Sequence, residues 1–528
     1  CQFSQARGDE CQRCGANYEA TDLIHPVSKI SGLPLVLKPT THWFLRFDLF
    51  KQKLSEWLLS KNWKSNVLHF ASSYAEDLKM RSITRDMDWG VPVPLPHAQG
   101  KVFYVWFDAP IGYISATKEW AENQREPEKW KKYWFDPKTK LVQFIGKDNI
   151  PFHALFFPAM IMGQNQPYKL VDELPANEFY NLEGKQFSKS DGWYIDLESF
   201  FSSFSADQIR YTIAANAPET QDSEFTWKDF QMRCNVELLG KYGNLVNRVL
   251  VFTKEKLSGK VPPRLGLVEE DRLFLDKIKN IVSQTEAAYA SFRLRKASQL
   301  IMELAQAGNA YFDLKKPWIL ARNESTFSQM QTTISCCLEC LKLLALISCP
   351  IIPQSAQKIF SMLGFKDSLE KANWYQVLES LIPVGTALPD PKILFTKVEG
   401  ETIVEQKKNL SSHVLKQPKK NIEVSIEDVR KLNLRVAQII AVERVAKSKK
   451  LLKLLMDLGS EKRQIVSGIG EKITDLTSLI GKKVMIITNL KPTKIMGIES
   501  QGMLFASHTE QGPEPLEVPL AAMGAKIS

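Results

Sequence analysis

The sequence predicts a multidomain chain in which an α/β segment, an all-α segment and an all-β segment follow one another. Three observations predict it. Residues 101–162 alternate strand-like and helix-like apolar runs. Residues 231–380 carry apolar side chains three and four apart with few strand signals. From Val424 onward, short β-branched runs return between Gly and Asn turns. Length agrees, since 528 residues make about three to five domains at roughly 100–200 residues each. Hydrophobic residues are 44% and charged residues 24%, which excludes a mostly disordered or fibrous chain. The longest apolar stretches, Ala154 to Met162 and Leu343 to Ile352, fall short of the ~20 residues that span a bilayer. The first residues lack a charged-then-apolar pattern, so no membrane partner is expected.

The first segment, 1–84, opens on Cys1 and holds Cys11 and Cys14 in CQFSQARGDECQRCG. Two thiolates on a tight Gly-closed turn form half of a zinc knuckle. Tetrahedral zinc takes four ligands, and a fourth Cys three residues before Cys1 would complete two CxxC pairs. The chain is therefore expected to be one piece of a longer protein, with Cys1, Cys11 and Cys14 as its share of the ligands. Eight Cys in 528 residues are too few for a disulfide scaffold and favour a reducing compartment. Cys336, Cys337, Cys340 and Cys349 lie in SCCLECLKLLALISCPIIP, whose helical spacing predicts buried packing rather than a redox or metal pair.

In residues 85–185, KVFYVWFDAP reads as a strand entering a Pro turn. LVQFIGKDN reads as a second strand and PFHALFFPAMIMG as the helix after it. This is a unit of a parallel sheet, with ligand contacts expected at the strand ends. Residues 186–230 follow as a loop region and 231–396 as a helical bundle. Residues 397–424 are polar, Lys-rich and aperiodic, and read as a solvated flexible linker. Residues 425–528 read as a small barrel. Residues 397–528 hold 22 Lys and Arg against 15 Asp and Glu, +7 of the total +10. That basic tail points to a polyanionic partner.

The sharpest motif is GKQFSKSDG, residues 184–192. Gly184 and Gly192 allow bending, Ser188 and Ser190 offer hydroxyls, and Lys189 adds a mobile cation, which together suit a polyphosphate. The loop resembles the KMSKS signature of class I aminoacyl-tRNA synthetases. With YVWFDAPIGY (104–113) and FIGKDNIPFHALFFPAM (144–160), it is similar to the second half of a methionyl-tRNA synthetase catalytic domain, a Rossmann-like fold. The Cys cluster resembles that family's zinc knuckle, carried by an insertion between the two halves of the fold. NLVNR (244–248) and KPW (316–318) resemble its anticodon-binding bundle. KLNLRVAQI, RQIVSGI, NLKP and KIMGIESQGM resemble its appended tRNA-binding OB domain.

The resemblance implies a methionine–tRNA ligase using ATP, Mg²⁺ and one Zn²⁺ per subunit. Its partners would be methionine and methionine transfer RNA, its location cytoplasmic, and its form a homodimer through the C-terminal domain. It implies a methionine pocket of Trp106, Ala109, Pro110, Tyr113, Phe152, His153, Phe156 and Phe157, where aromatic rings suit a thioether. It implies ATP contacts at Gly146, Asp148 and Lys189, and catalytic roles for Lys189, Ser188 and Ser190 in stabilising the transferring phosphate. It assigns anticodon reading to Asn244, Arg248 and Trp318, residue types that pair with base edges and stack on bases. In the OB domain it points to Arg435, Asn489, Lys491, Lys494, Ser500 and Met503. Two positions depart from the family pattern: Gln186 stands where the signature has Lys, and Phe157 where the pocket has Trp. The family's His-x-Gly-His signature has no counterpart in these residues, so the parent protein rather than this chain is expected to catalyse adenylation efficiently. The rival readings are a non-catalytic tRNA-binding protein derived from a synthetase, and a class I synthetase for an aliphatic amino acid. The second usually carries a long editing insertion, for which no room exists between Cys14 and Trp106.

Overall fold

The computed structural model describes residues 3, 6, 18, 20–28, 31–189, 192–416, 426–446, 448–471, 473, 475–509 and 512–527. Cys1, Cys11, Cys14 and Ser190 therefore lie outside the described residues. The chain divides into two compact units, 1–417 and 418–528.

The first unit begins its core earlier than the sequence suggested. Helices Lys51–Leu59 and Ser65–Glu76 bury Leu54, Leu58, Val67 and Ala71. These pack with Ile150, Ala154, Leu155, Phe156 and Ala159 of the later segment. Much of 44–84, expected as part of an insertion, is thus one layer of the α/β core. Parallel pairing is short and falls in two separate sheets: Ile145–Gly146 pairs with Ala176–Asn177, and Tyr180–Leu182 with Ser223–Phe225. KVFYVWFDAP, expected as a longer strand, is a strand only at Lys101–Phe103. The chain then turns into helix at Val105–Asp108 and Gly112–Asn123. The helix after the GKDN turn opens as a π-helix, Phe152–Phe156, and continues as an α-helix, Phe157–Met162. Pro158 has no N–H to return to the Ala154 carbonyl, which suits a widened turn at that point.

The bundle is built on Asn244–Leu257, Glu269–Ala290, Leu294–Lys315 and Phe327–Ser348. Phe327–Ser348 is apolar enough to pass for a membrane span, yet it lies at the centre of the bundle and is buried along most of its length. Its Cys336, Cys337 and Cys340 are fully buried, and burial pushes the Cys336 thiol up to about 11. They pack as small apolar groups, as expected. Gly308 lets two helices approach, since a Cβ there would meet Leu245 Cδ2 at 2.6 Å.

Two boundaries differ from the sequence reading. Phe200, Phe204, Tyr211, Phe225, Trp227 and Phe230, all within 186–230, share the core of the bundle. Residues 400–416, expected as flexible linker, form the helix Gly400–Lys416, whose Ile403 and Leu410 are buried in that same core. Those apolar residues, seven apart, give even a Lys-rich stretch one face to bury.

In the second unit, strands run in the order Lys462–Ser467, Leu452–Asp457, Leu434–Arg444, Lys483–Ile487 and Met503–Leu504, with antiparallel neighbours. Alternate residues Ile439, Leu452, Leu454, Met456, Ile465, Val484 and Ile486 face the core. The two ends of the sheet meet: Gln501 N–H donates to Gln464 O at 2.8 Å, and Val466 N–H to Ser500 Oγ at 3.0 Å. This joining removes a sheet edge, as a small barrel requires.

Candidate active and RNA-binding sites

The aromatic residues cluster beside the parallel sheet. Trp106 stacks on Phe152 with ring centroids 4.5 Å apart, and Phe152 lies 5.5 Å from Phe156. Trp106, Phe152 and Phe156 line a small apolar cavity with Phe47, Ile83, Tyr104, Phe107 and Met160. Arg81, which sequence reasoning missed, borders the cavity and rests its guanidinium 5.1 Å from the Phe156 ring. Beside this group, Tyr113 and His153 form one polar pair. The His153 Nδ1 lies 2.9 Å from the Asn149 carbonyl oxygen, which can only accept, so Nδ1 carries the proton. The Nε2 then accepts from the Tyr113 hydroxyl at 2.9 Å. Burial holds the His153 pKa below its ordinary 6.5, which favours the neutral ring this arrangement needs. Pro110 is buried, Ala109 is exposed. Phe157 departs from the expected set: it packs with Ile114, Trp130 and Trp134 in a neighbouring core cluster, although its ring still reaches Tyr113 at 6.2 Å.

Gly146 ends a strand, and Lys147–Asn149 follows as a single 3-10 turn. This is the carboxyl end of a parallel strand, where such sheets bind ligands. Asp148 sits within that turn, exposed. Although the residue is exposed, surrounding atoms partly desolvate its carboxyl and raise its pKa, against the charge of Lys147. Lys147 is itself held by Glu178 at 2.9 Å and Asp222 at 2.8 Å. Burial alone would lower its pKa, but these two hydrogen bonds outweigh it and hold the ammonium charged. That network, spanning three separate segments, had no local sequence signal.

The Lys189 loop grows from a hairpin. Leu182 and Lys185 pair across Glu183 and Gly184, both at positive φ. Ser188 and Trp193 then exchange backbone hydrogen bonds of 2.9 and 2.8 Å, with Gly192 at φ 69°. Lys189 is exposed at the tip of this closed turn. Lys185, next to Gln186, is exposed and holds its ammonium 4.8 Å from the Trp193 ring.

In the bundle, Arg248 and Trp318 are linked through the ring of Phe312, and Asn244 lies one helical turn before Arg248. Arg248 donates to Asp313 at 2.5 Å and lies 4.8 Å from the Phe312 ring. Phe312 lies 5.9 Å from Trp318, which is 38% exposed. Asn244 donates to Asn309 Oδ1 at 3.2 Å. The facing residues Asn309, Phe312 and Asp313 were missed, although their three- and four-residue spacing places them on one face.

In the second unit, Lys491, Lys494 and Met503 are exposed. The other three expected contact residues make hydrogen bonds within the unit, Ser500 buried, Arg435 half-buried and Asn489 exposed. Ser500 is 5% exposed, accepting from Val466 and donating to Gly502 O at 3.1 Å. Arg435 donates to Asn433 Oδ1 and Gly524 O. Asn489 accepts from Asn433 N–H and donates to Lys431 O. Their polar groups tie loops and a terminal strand to the barrel. No group of three or more His, Cys, Asp or Glu suited to a metal occurs among the described residues.

Comparison with known proteins covers the same three segments. The family model "tRNA synthetases class I (M)" matches residues 1–250. "Anticodon binding domain of methionyl tRNA ligase" matches 261–414, and "Putative tRNA binding domain" matches 434–524. The methionine–tRNA ligase of Protochlamydia amoebophila (strain UWE25) is 56% identical, across 100% of this chain and 78% of its own length. That of Chlamydia pneumoniae is 48% identical over 76% of this chain and 74% of its own. That of Christiangramia forsetii is 40% identical over 97% and 76%. The solved Mycobacterium tuberculosis methionyl-tRNA synthetase in complex with methionyl-adenylate has a TM-score of 0.63 and 24% identity, over 72% of this chain and 74% of that one. That likeness concerns the fold alone.

Proposed function

The chain belongs to the methionine–tRNA ligase family, and from that premise we propose which of its own residues carry the reaction. The activity is ATP-dependent attachment of methionine to transfer RNA: the methionine carboxylate attacks the α-phosphate of ATP, pyrophosphate leaves methionyl-adenylate, and the terminal ribose hydroxyl then takes the methionyl group with release of AMP. Mg²⁺ accompanies the ATP phosphates.

We assign methionine to the cavity edged by Trp106, Phe152 and Phe156, with the Tyr113–His153 pair at its side. The stacked rings support this reading, because a thioether gains from aromatic contact. Asp148 would accept from the ATP ribose, and Lys189 with Ser188 and Ser190 would serve the phosphates. The single observation that carries the proposal is the pairing of the aromatic cavity with a strand-end Gly146-Lys147-Asp148 turn in one compact unit. Methionine-dependent ATP–pyrophosphate exchange by the enzyme tests it. Substitutions at Trp106 and Asp148 that leave the Michaelis constants for methionine and ATP unchanged would refute the assignments.

Tyr113→Phe is expected to weaken methionine binding about tenfold, since it leaves a buried His153 acceptor without its donor. Titrating the variant with methionine checks this. In the unsubstituted enzyme, binding should vary little with pH near neutrality, because burial favours the neutral His153 ring there. It should weaken only at lower pH, as the ring gains its proton and the Tyr113 hydrogen bond is lost.

Zinc at Cys1, Cys11 and Cys14 is proposed on their spacing, and metal analysis of the purified enzyme tests it. The exposed Lys491 and Lys494 are proposed to meet transfer RNA phosphates, in a homodimeric, cytoplasmic enzyme.

A further inference from the structure

We infer that Asn309 is a positioning residue that fixes the amide polarity of Asn244, so that the bundle presents a hydrogen-bond acceptor to the anticodon and selects a base bearing an amino group. The inference rests on the reading of Asn244, Arg248 and Trp318 as the anticodon site.

Asn309 lies on the helix Leu294–Lys315 and is 7% exposed. Its Nδ2 donates to two backbone carbonyls, Lys241 O at 3.0 Å and Ala305 O at 3.0 Å. Carbonyl oxygens only accept. Turning the amide over would set Oδ1 against both of them in a buried position, which is costly. The backbone therefore fixes Oδ1 on the opposite side, where it meets Asn244 at 3.2 Å. Oδ1 carries no hydrogen, so Asn244 must offer its NH₂ group there. The orientation passes from two carbonyls to Asn309 and from Asn309 to Asn244.

Asn244 is an exposed residue, and no hydrogen bond to its Oδ1 occurs among the described residues. Arg248 stands one helical turn on, its guanidinium fixed by Asp313 and the Phe312 ring. The face thus presents an acceptor beside a donor. Cytosine and adenine carry an amino donor beside a ring-nitrogen acceptor on their pairing edges, whereas uracil carries a carbonyl beside an N–H. The methionine codon AUG pairs with the anticodon CAU, so cytosine in the first position meets the required pattern and uracil meets its inverse. An Asn244 amide free to rotate would accept either base.

The test compares kcat/KM for charging two transfer RNAs that differ only by cytosine or uracil at the first anticodon position. Asn309→Leu keeps the branched shape but removes both polar atoms, and Asn309→Ala removes them with less volume. Either variant, whichever folds, should lower the cytosine-over-uracil ratio at least about fivefold, in the range of one lost base discrimination. An equal fall for both RNAs, or an unchanged ratio, would show Asn309 to be merely structural and overturn the inference. Asn244→Ala is measured alongside. If it also leaves the ratio unchanged, the anticodon reading itself fails, which separates that failure from the failure of Asn309 alone.

Discussion

Lys189→Ala is expected to slow methionine-dependent ATP–pyrophosphate exchange by about 10²–10³-fold, the usual cost of removing one charge-stabilising donor from a reacting centre. The methionine Michaelis constant should change far less. The reason lies in the local geometry. Ser188 and Trp193 close the turn through paired backbone bonds, and Gly192 supplies the left-handed conformation that turn requires. Lys189 projects from a backbone fixed at both sides, exposed at its tip. Such a cation reaches phosphate without contributing to the methionine cavity, so it acts on the transition state more than on methionine binding. Lys185 stands four residues earlier on the hairpin, with its ammonium over the Trp193 ring. Gln186, exposed on the same hairpin, supplies no charge. This loop therefore concentrates its charge in Lys189, which raises the expected cost of losing it. Equal losses in exchange rate and methionine affinity would point to a collapsed loop instead.

The features legible in the sequence were those written locally. Strand, turn and helix around Gly146-Lys147-Asp148 follow from a contiguous run, and the bundle follows from spacing alone. The buried Cys336, Cys337 and Cys340 were legible because an apolar helix face accepts small thiols. Long-range pairings were not. Nothing near Lys147 announces Glu178 or Asp222, and nothing near Arg248 announces Asp313, because these contacts depend on how distant segments pack. Polarity also misled. Residues 400–416 look like linker by composition, yet Ile403 and Leu410 suffice to dock that helix on the bundle core. Ser500 looks like a contact residue by resemblance, yet its hydroxyl helps join the two ends of the barrel sheet. A polar side chain can serve a ligand or the fold, and only the partners it finds decide which.

Trp318→Ala is expected to lower kcat/KM for charging transfer RNA by about 10–100-fold, the effect of losing one base-stacking platform worth ~1–3 kcal/mol. The step measured by ATP–pyrophosphate exchange precedes transfer RNA binding, so it should not report this loss. Trp318 is suited to stacking because its indole is partly exposed and is held from behind by Phe312 at 5.9 Å. Pro317 begins its short helix directly after Lys316, which holds a left-handed conformation at φ 44°. This sharp entry precedes the Trp318 position, whose indole meets Phe312. Arg248 approaches the same Phe312 ring from the other helix, so one buried aromatic backs both the stacking group and the reading group. Trp318→Phe keeps a π-face and should recover most of the loss. Charging that is unchanged in Trp318→Ala would mean that no base stacks there, and the indole would then be an ordinary surface residue at the start of a helix.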